Sequence, residues 1–228
     1  MARQPRLALA GHAHYVVQQA VHDQALVRDD TDRRALVNAL TAAAGEQRVT
    51  IWAYALTDQA LHLLARPGNE HALGAMMQSL GRRYVVGYNR RHARGGALWA
   101  GRFAAAVVEP GAWLLAAIAT IDGLLEPDSP WSSAAHHCGG QPDSLLADPP
   151  EIWGLGNTPF EREGRYAALL RRGVGQAQRD QLARAARGGW AVGSPEFLVT
   201  VSEQAGRPVR PRRRGRPPKL RPPTPTET

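Results

Sequence analysis

The sequence predicts an α+β fold: an antiparallel sheet with helices on one face, followed by a small helical module and a basic tail. Three observations predict it. Short runs rich in β-branched and aromatic residues alternate with stretches whose apolar residues recur at helical spacing. Capping residues and glycines mark where those stretches start and stop. From Arg207 onward the chain carries too much Pro and Arg to bury a core of its own, so the tail is expected to be disordered.

His14 to Gln19 reads as the first strand. Asp30 or Thr31 caps a helix whose apolar positions are Leu36, Val37, Leu40 and Ala44, closed by Gly45. Thr50 to Leu56 and Leu61 to Ala65 are strands two and three, with Thr57-Asp58-Gln59-Ala60 between them. Pro67-Gly68-Asn69 is a turn. A long helix runs from about Glu70 to His92, with Leu73, Met76, Met77, Leu80, Tyr84 and Tyr88 on its apolar stripe. Ala104 to Val108 is the fourth strand, and Pro110 introduces a helix over Gly111 to Ile121. The order β-α-β-β-α-β is the ferredoxin-like, split βαβ pattern. It defines a domain over residues 1–135. Residues 136–160, rich in Pro, Gly and Asp, read as a linker. Residues 161–206 hold three helical stretches, the last opened by Ser194-Pro195-Glu196. Residues 207–228 form the tail.

Composition narrows the function. At 228 residues, 43% hydrophobic and 21% charged, the chain has the make-up of a soluble globular protein. It has no apolar run long enough to span a bilayer, and no membrane partner is expected. The apolar run Leu7 to Ala10 is too short for a signal h-region. A single cysteine, Cys138, excludes an internal disulfide and suits a reducing cytoplasm. The formal net charge is +8. The stretch 207–221 alone holds Arg207, Arg210, Arg212, Arg213, Arg214, Arg216, Lys219 and Arg221 and no acid, so it supplies the whole excess. Such a block favours a polyanion, and a nucleoid-associated location is expected.

The order of landmarks resembles the REP-associated tyrosine transposases, a branch of the HUH single-tyrosine transposases. The matching residues are Gly11-His12-Ala13-His14-Tyr15-Val16, Trp52-Ala53-Tyr54, His62-Leu63-Leu64, Arg82-Arg83-Tyr84, Leu98-Trp99-Ala100-Gly101-Arg102-Phe103, Leu114-Leu115-Ala116-Ala117 and Pro130-Trp131-Ser132-Ser133. Val192-Gly193-Ser194-Pro195-Glu196-Phe197 and the Arg-rich tail are similar to longer members. The resemblance implies single-strand DNA cleavage and joining: a His-x-His pair on a strand helps hold a divalent metal, and a helix tyrosine attacks the phosphate. Residues i and i+2 of a strand share a face, so both imidazoles reach one ion.

Two departures bear on that chemistry. The family's Asn-His-x-His aligns with Gln59-Ala60-Leu61-His62, which lacks the first ligand. The family's nucleophilic tyrosine aligns with Thr120, and the Asn-Pro that follows it in relatives is missing. A threonine hydroxyl without a nearby base is a poor nucleophile. Both changes fall on one reaction, so loss of cleavage is expected. No catalytic residue is then assigned, and no cofactor is expected; Mg²⁺ or Mn²⁺ would be required if cleavage survived.

His62 is the candidate metal ligand, with Asp58 as a substitute partner. Tyr84 and Tyr88 are the remote candidates for a displaced nucleophile, although their place on the helix stripe fits core packing. His12 and His14 read as structural or DNA-contacting. Arg82, Arg83, Arg90, Arg91 and Arg94 lie along one helix and its end, and with Arg102 they are candidate phosphate contacts. Trp99 and Phe103 fit a core role better than base stacking. Arg214-Gly215-Arg216-Pro217, flanked by Arg212, Arg213 and Lys219, resembles an AT-hook core suited to the minor groove of A·T-rich duplex. The expected partner is therefore DNA, as a hairpin or structured single strand, with possible duplex contact through the tail. The competing readings are an active metal-dependent transposase or nickase, and a module that binds something other than DNA.

Overall fold

The structure, a computed structural model, describes residues 6–22 and 24–211. Among these residues it holds a mixed five-stranded sheet and eight helices. The elements run β1 (Ala13–Gln19), α1 (Asp30–Gln47), β2 (Val49–Leu56), β3 (Ala60–Pro67), α2 (Ala72–Arg91), β4 (Ala104–Val108), α3 (Ala112–Asp122), α4 (Ala134–His137), α5 (Pro150–Trp153), α6 (Pro159–Arg172), α7 (Gln176–Gly188), β5 (Ala191–Val192) and α8 (Pro195–Ala205). The sheet order is β2-β3-β1-β4-β5. β1, β2, β3 and β4 pair antiparallel, and β5 adds to β4 in parallel.

The first helix begins one residue earlier than expected. Asp29 is its N-cap, its carboxylate accepting from the backbone N–H groups of Thr31 and Asp32. Gly45 does not close it: the helix runs on to Gln47, and Arg48 turns the chain in the left-handed region at φ 52°. Ala43 and Ala44 pack into the core just before Gly45, so tertiary contact carries the helix through the glycine. α1 and α2 cover one face of the sheet. There Val16, Leu36, Leu40, Ile51, Leu61, Leu63, Leu73, Met76 and Leu80 form the larger core. Full burial of each such large side chain contributes about 1.5–3 kcal/mol.

Helices cover both faces of the sheet, not one. Alternate residues Ala13, Tyr15, Ala53, Ala55, Leu64, Ala106 and Val108 make the second face as apolar as the first. A sheet apolar on both faces requires a layer on each. α3, α6 and α7 supply the second, through Leu114, Ala117, Ile118, Ile121, Tyr166, Leu182, Ala185 and Ala186. Residues 161–206 therefore pack on the sheet itself. Residues 136–160 also do more than connect: they contain half of α4 and all of α5, and they bury His137 and Ile152. A third, smaller cluster joins Leu7 and Leu9 to Val107, Ala191, Val201 and Val209.

Candidate functional site

His62 lies on β3 with its side chain on the α3 side of the sheet, because its neighbours Leu61 and Leu63 belong to the opposite core. It stands opposite Ala55 of β2 and Val17 of β1. Two residues along, on the same face, is Ala60, itself buried. The group that meets His62 is the phenol of Tyr15: its hydroxyl lies 3.4 Å from His62 Nδ1, a long hydrogen bond. Burial pushes the His62 imidazole down to about 4 and the Tyr15 phenol up to about 12, so both are neutral at pH 7.

One imidazole, one neutral phenol and an alanine methyl do not fit a divalent ion, which takes several oxygen or nitrogen donors. Among the described residues no group of three or more His, Cys, Asp or Glu side chains converges in this way. Asp58 is turned elsewhere: its carboxylate accepts from Arg33 at 2.6 Å.

α3 packs across this face through Leu114, Ala117, Ile118 and Ile121. Thr120 is on α3, and its hydroxyl is buried without a hydrogen-bond partner among the described residues. Tyr84 and Tyr88 lie on the other side of the sheet, in the α1–α2 core. Tyr84 donates to the carbonyl of Leu26 at 2.6 Å and Tyr88 to that of Ala25 at 2.7 Å. The two hydroxyls pin the segment leading into α1, and neither approaches His62.

The arginines of α2 divide into two kinds. Arg83 pairs with Glu46, and Arg91 pairs with Asp29 and Asp32 of α1. Both cations are spent on joining the two helices. Arg94 donates to Asn89 and Ala97 at the end of α2. Arg82 and Arg90 are exposed, and with Val86, 70% exposed, they make a stripe at i, i+4 and i+8. Arg102 is exposed too. Arg212, Arg213, Arg214, Arg216 and Lys219 lie outside the described residues.

His14 is fully buried and structural. The N–H of Leu9 donates to its Nε2 at 3.3 Å, and its Nδ1 donates to the carbonyl of His12 at 2.9 Å, which satisfies one neutral tautomer. Burial lowers its pKa to about 4. His12 meets Gln204 of α8 at 2.9 Å. Trp99 packs against Tyr84, and Phe103 is buried under the guanidinium of Arg6. The Pro130-Trp131-Ser132-Ser133 stretch covers the outer edge of β2: Leu56 N–H donates to Trp131 O, and Ser133 N–H to Tyr54 O, both at 2.9 Å. An edge strand with paired backbone groups resists adding a foreign strand.

Sequence reading missed a buried polar network beside α3. Asp122, at the end of α3, accepts from Tyr166 at 2.6 Å and from His137 Nδ1 at 2.7 Å, and Ser133 also donates to it. All four residues are essentially inaccessible to solvent. No sequence spacing announces the network, because its members come from α3, the segment before α4, α4 and α6. Tyr15 was more legible, since it alternates with Val16 and so shares the face of Val17, which opposes His62.

No protein-family model matches the chain, and no curated protein matches it. Among solved structures, a REP-associated tyrosine transposase bound to a REP hairpin is similar at 12% identity, over 66% of this chain and 93% of that one, with a TM-score of 0.48. A candidate transposase from Deinococcus radiodurans R1 is similar at 18% identity, over 48% of this chain and 88% of that one, with a TM-score of 0.36. Likenesses this partial carry no argument about chemistry.

Proposed function

We propose that this chain is a DNA-binding protein of the REP-associated tyrosine transposase kind that no longer cleaves DNA. It engages a hairpin or structured single strand through a ferredoxin-like core formed by β1 to β4, and the basic tail adds affinity. The observation that carries the reading is the pairing of His62 with Ala60 on one strand, under a helix whose matching position is the unpartnered Thr120. On the resemblance, Ala60 stands where the first ligand belongs and Thr120 where the nucleophile belongs, so both are replaced. The motifs from Gly11 to Ser133 supply the link to DNA. Arg82, Arg90 and Arg102 are exposed cations of the folded part that suit phosphate contact. Arg214-Gly215-Arg216 is proposed for the minor groove.

A labelled single-stranded hairpin, with Mg²⁺ or Mn²⁺ or with EDTA, tests the reading. The expected result is a mobility shift that EDTA leaves unchanged and no covalent adduct in denaturing gels. Raising salt weakens binding steeply, as released counterions require. Substituting Arg214 and Arg216 with Gln flattens that salt dependence.

A second reading has an observation of its own: Tyr15 is the phenol that meets His62. A metal-dependent adduct lost in Tyr15→Phe would establish an active enzyme in place of the proposal. Against it, Tyr15 is 5% exposed and its proton is held to about pH 12, so it is a poor nucleophile at pH 7. Absence of any shift at low salt would favour a module for a different partner.

A further inference from the structure

Beyond the His62 face, the fold builds a basic cleft at the start of β4. It has a volume of about 180 Å³ and is lined by Arg6, Arg102, Arg187 and Arg207 together with Phe103 and Trp190. No acidic side chain is among its described lining residues. We propose that this cleft binds a phosphodiester of single-stranded DNA, with Arg102 and Arg187 as the principal contacts and the Trp190 indole against an adjoining base. The proposal rests on the DNA reading given above.

Four separate parts of the chain meet here: the N-terminal segment, the Gly101-Arg102-Phe103 stretch, the end of α7 and the segment after α8. The side chains are held in place. Arg6 donates to the carbonyl of Phe103 at 3.3 Å, and its guanidinium carbon sits 3.7 Å from the ring centroid of Phe103. The turn Arg187-Gly188-Gly189-Trp190 is closed by Trp190 N–H donating to Ala185 O at 3.0 Å, with Gly189 at φ +67°. A Cβ on Gly188 would fall 2.1 Å from the Trp190 indole, so that ring lies directly over glycine backbone. Arg102 and Arg187 are exposed and have no ion pair or hydrogen bond among the described residues. They contrast with Arg83 and Arg91, which acidic partners neutralise. The guanidinium forks of Arg102 and Arg187 are therefore open to donate charge-assisted hydrogen bonds to a phosphate.

Two features choose the occupant. The cleft takes one phosphate and part of a base but is too small for a double helix. It also lies in line with His62: Ala55, His62, Val17 and Ala104 stand opposite one another on four successive strands, and Ala104 lines the cleft. Two strand spacings separate His62 from Ala104, roughly 10 Å. His62 and the cleft thus lie within two strands of each other on the face that α3, α6 and α7 cover. The basic residues that follow Arg207 in the sequence have the same charge as the cleft and so do not neutralise it.

The test is the affinity of the full-length chain for a single-stranded thymidine 20-mer across a salt series, with Arg102→Gln/Arg187→Gln as the variant. The expected result is binding about tenfold weaker at ~0.1 M salt and a log–log salt slope shallower by about 1.4. Both substitutions are at exposed positions, and an unchanged melting temperature confirms an intact fold. Wild-type binding with no change of affinity or slope in the variant overturns the cleft alone. Failure of the wild type to bind at low salt overturns the DNA reading and the cleft together. Tighter binding of a uridine 20-mer, lost in the variant, reassigns the cleft to RNA and overturns the proposal.

Discussion

Replacing Asp122 with Ala is expected to lower the free energy of unfolding by about 3–5 kcal/mol, the range for breaking a buried polar pair by removing one partner. Asp122 is at 0% exposure, and its two oxygens accept from Tyr166, His137 and Ser133. Truncation removes the only acceptor these donors share. Tyr166 is itself wholly buried, and its phenol is held protonated by burial and by Asp122. Left without a partner in a dry interior, such groups carry their full desolvation penalty. The damage spreads because Asp122 joins α3 to α4 and α6. Asp122→Asn keeps the shape but turns an amide donor toward one of the three donors, so an intermediate loss is expected. Urea unfolding monitored by circular dichroism measures both. A loss under about 1 kcal/mol for Asp122→Ala would mean that water replaces the carboxylate, and the network would not be holding the helices together.

The second large effect is acid destabilisation. His14 and His62 are buried with pKa values lowered from 6.5 to about 4. Between those values the unfolded chain takes up a proton at each histidine and the folded chain does not. Stability is therefore complete above pH 6.5 and falls as pH drops toward 4, by roughly 2–3 kcal/mol per histidine at pH 4.5. His136 works in the opposite sense: its hydrogen bond to Asp148 raises its pKa, so its contribution is present at low pH and fades as pH rises. It is half-buried and does not cancel two enclosed imidazoles. Urea unfolding at pH 7 and 4.5 measures the difference, and His62→Gln is expected to remove about half of it. Equal stability at both pH values would show that neither imidazole is enclosed as described.

Much of the fold was readable from local pattern. β4 spans Ala104–Val108 as expected, and β1, β3 and α2 shift by no more than two residues at either end. Period-2 and period-3.6 patterns are properties of neighbouring residues, so sequence suffices for them. α1 overran Gly45 because packing outweighed the local cost of a glycine. β5 is two residues long and exists because Val107 and Val108 offer it a pairing edge, which no local signal announces.

At the candidate site, the absent first histidine and the threonine in place of a tyrosine are plain in the order of residues. The neighbours of those positions are not. Strand pairing put Tyr15 beside His62, and the sheet separated Tyr84 and Tyr88 from it. The ion pairs that join Arg83 and Arg91 to α1, with both side chains still exposed, are likewise set by contacts between distant segments.

The sequence by itself determined the strands and helices of the first half, the alanine two residues before His62, and the basic excess of the tail. Each follows from residue type and short spacing. Only the tertiary structure decided that both faces of the sheet are covered, that Asp122 unites three helices, and that four arginines far apart in the chain share one cleft. These depend on contacts between distant segments, which form when apolar faces leave water together and bring their polar neighbours with them.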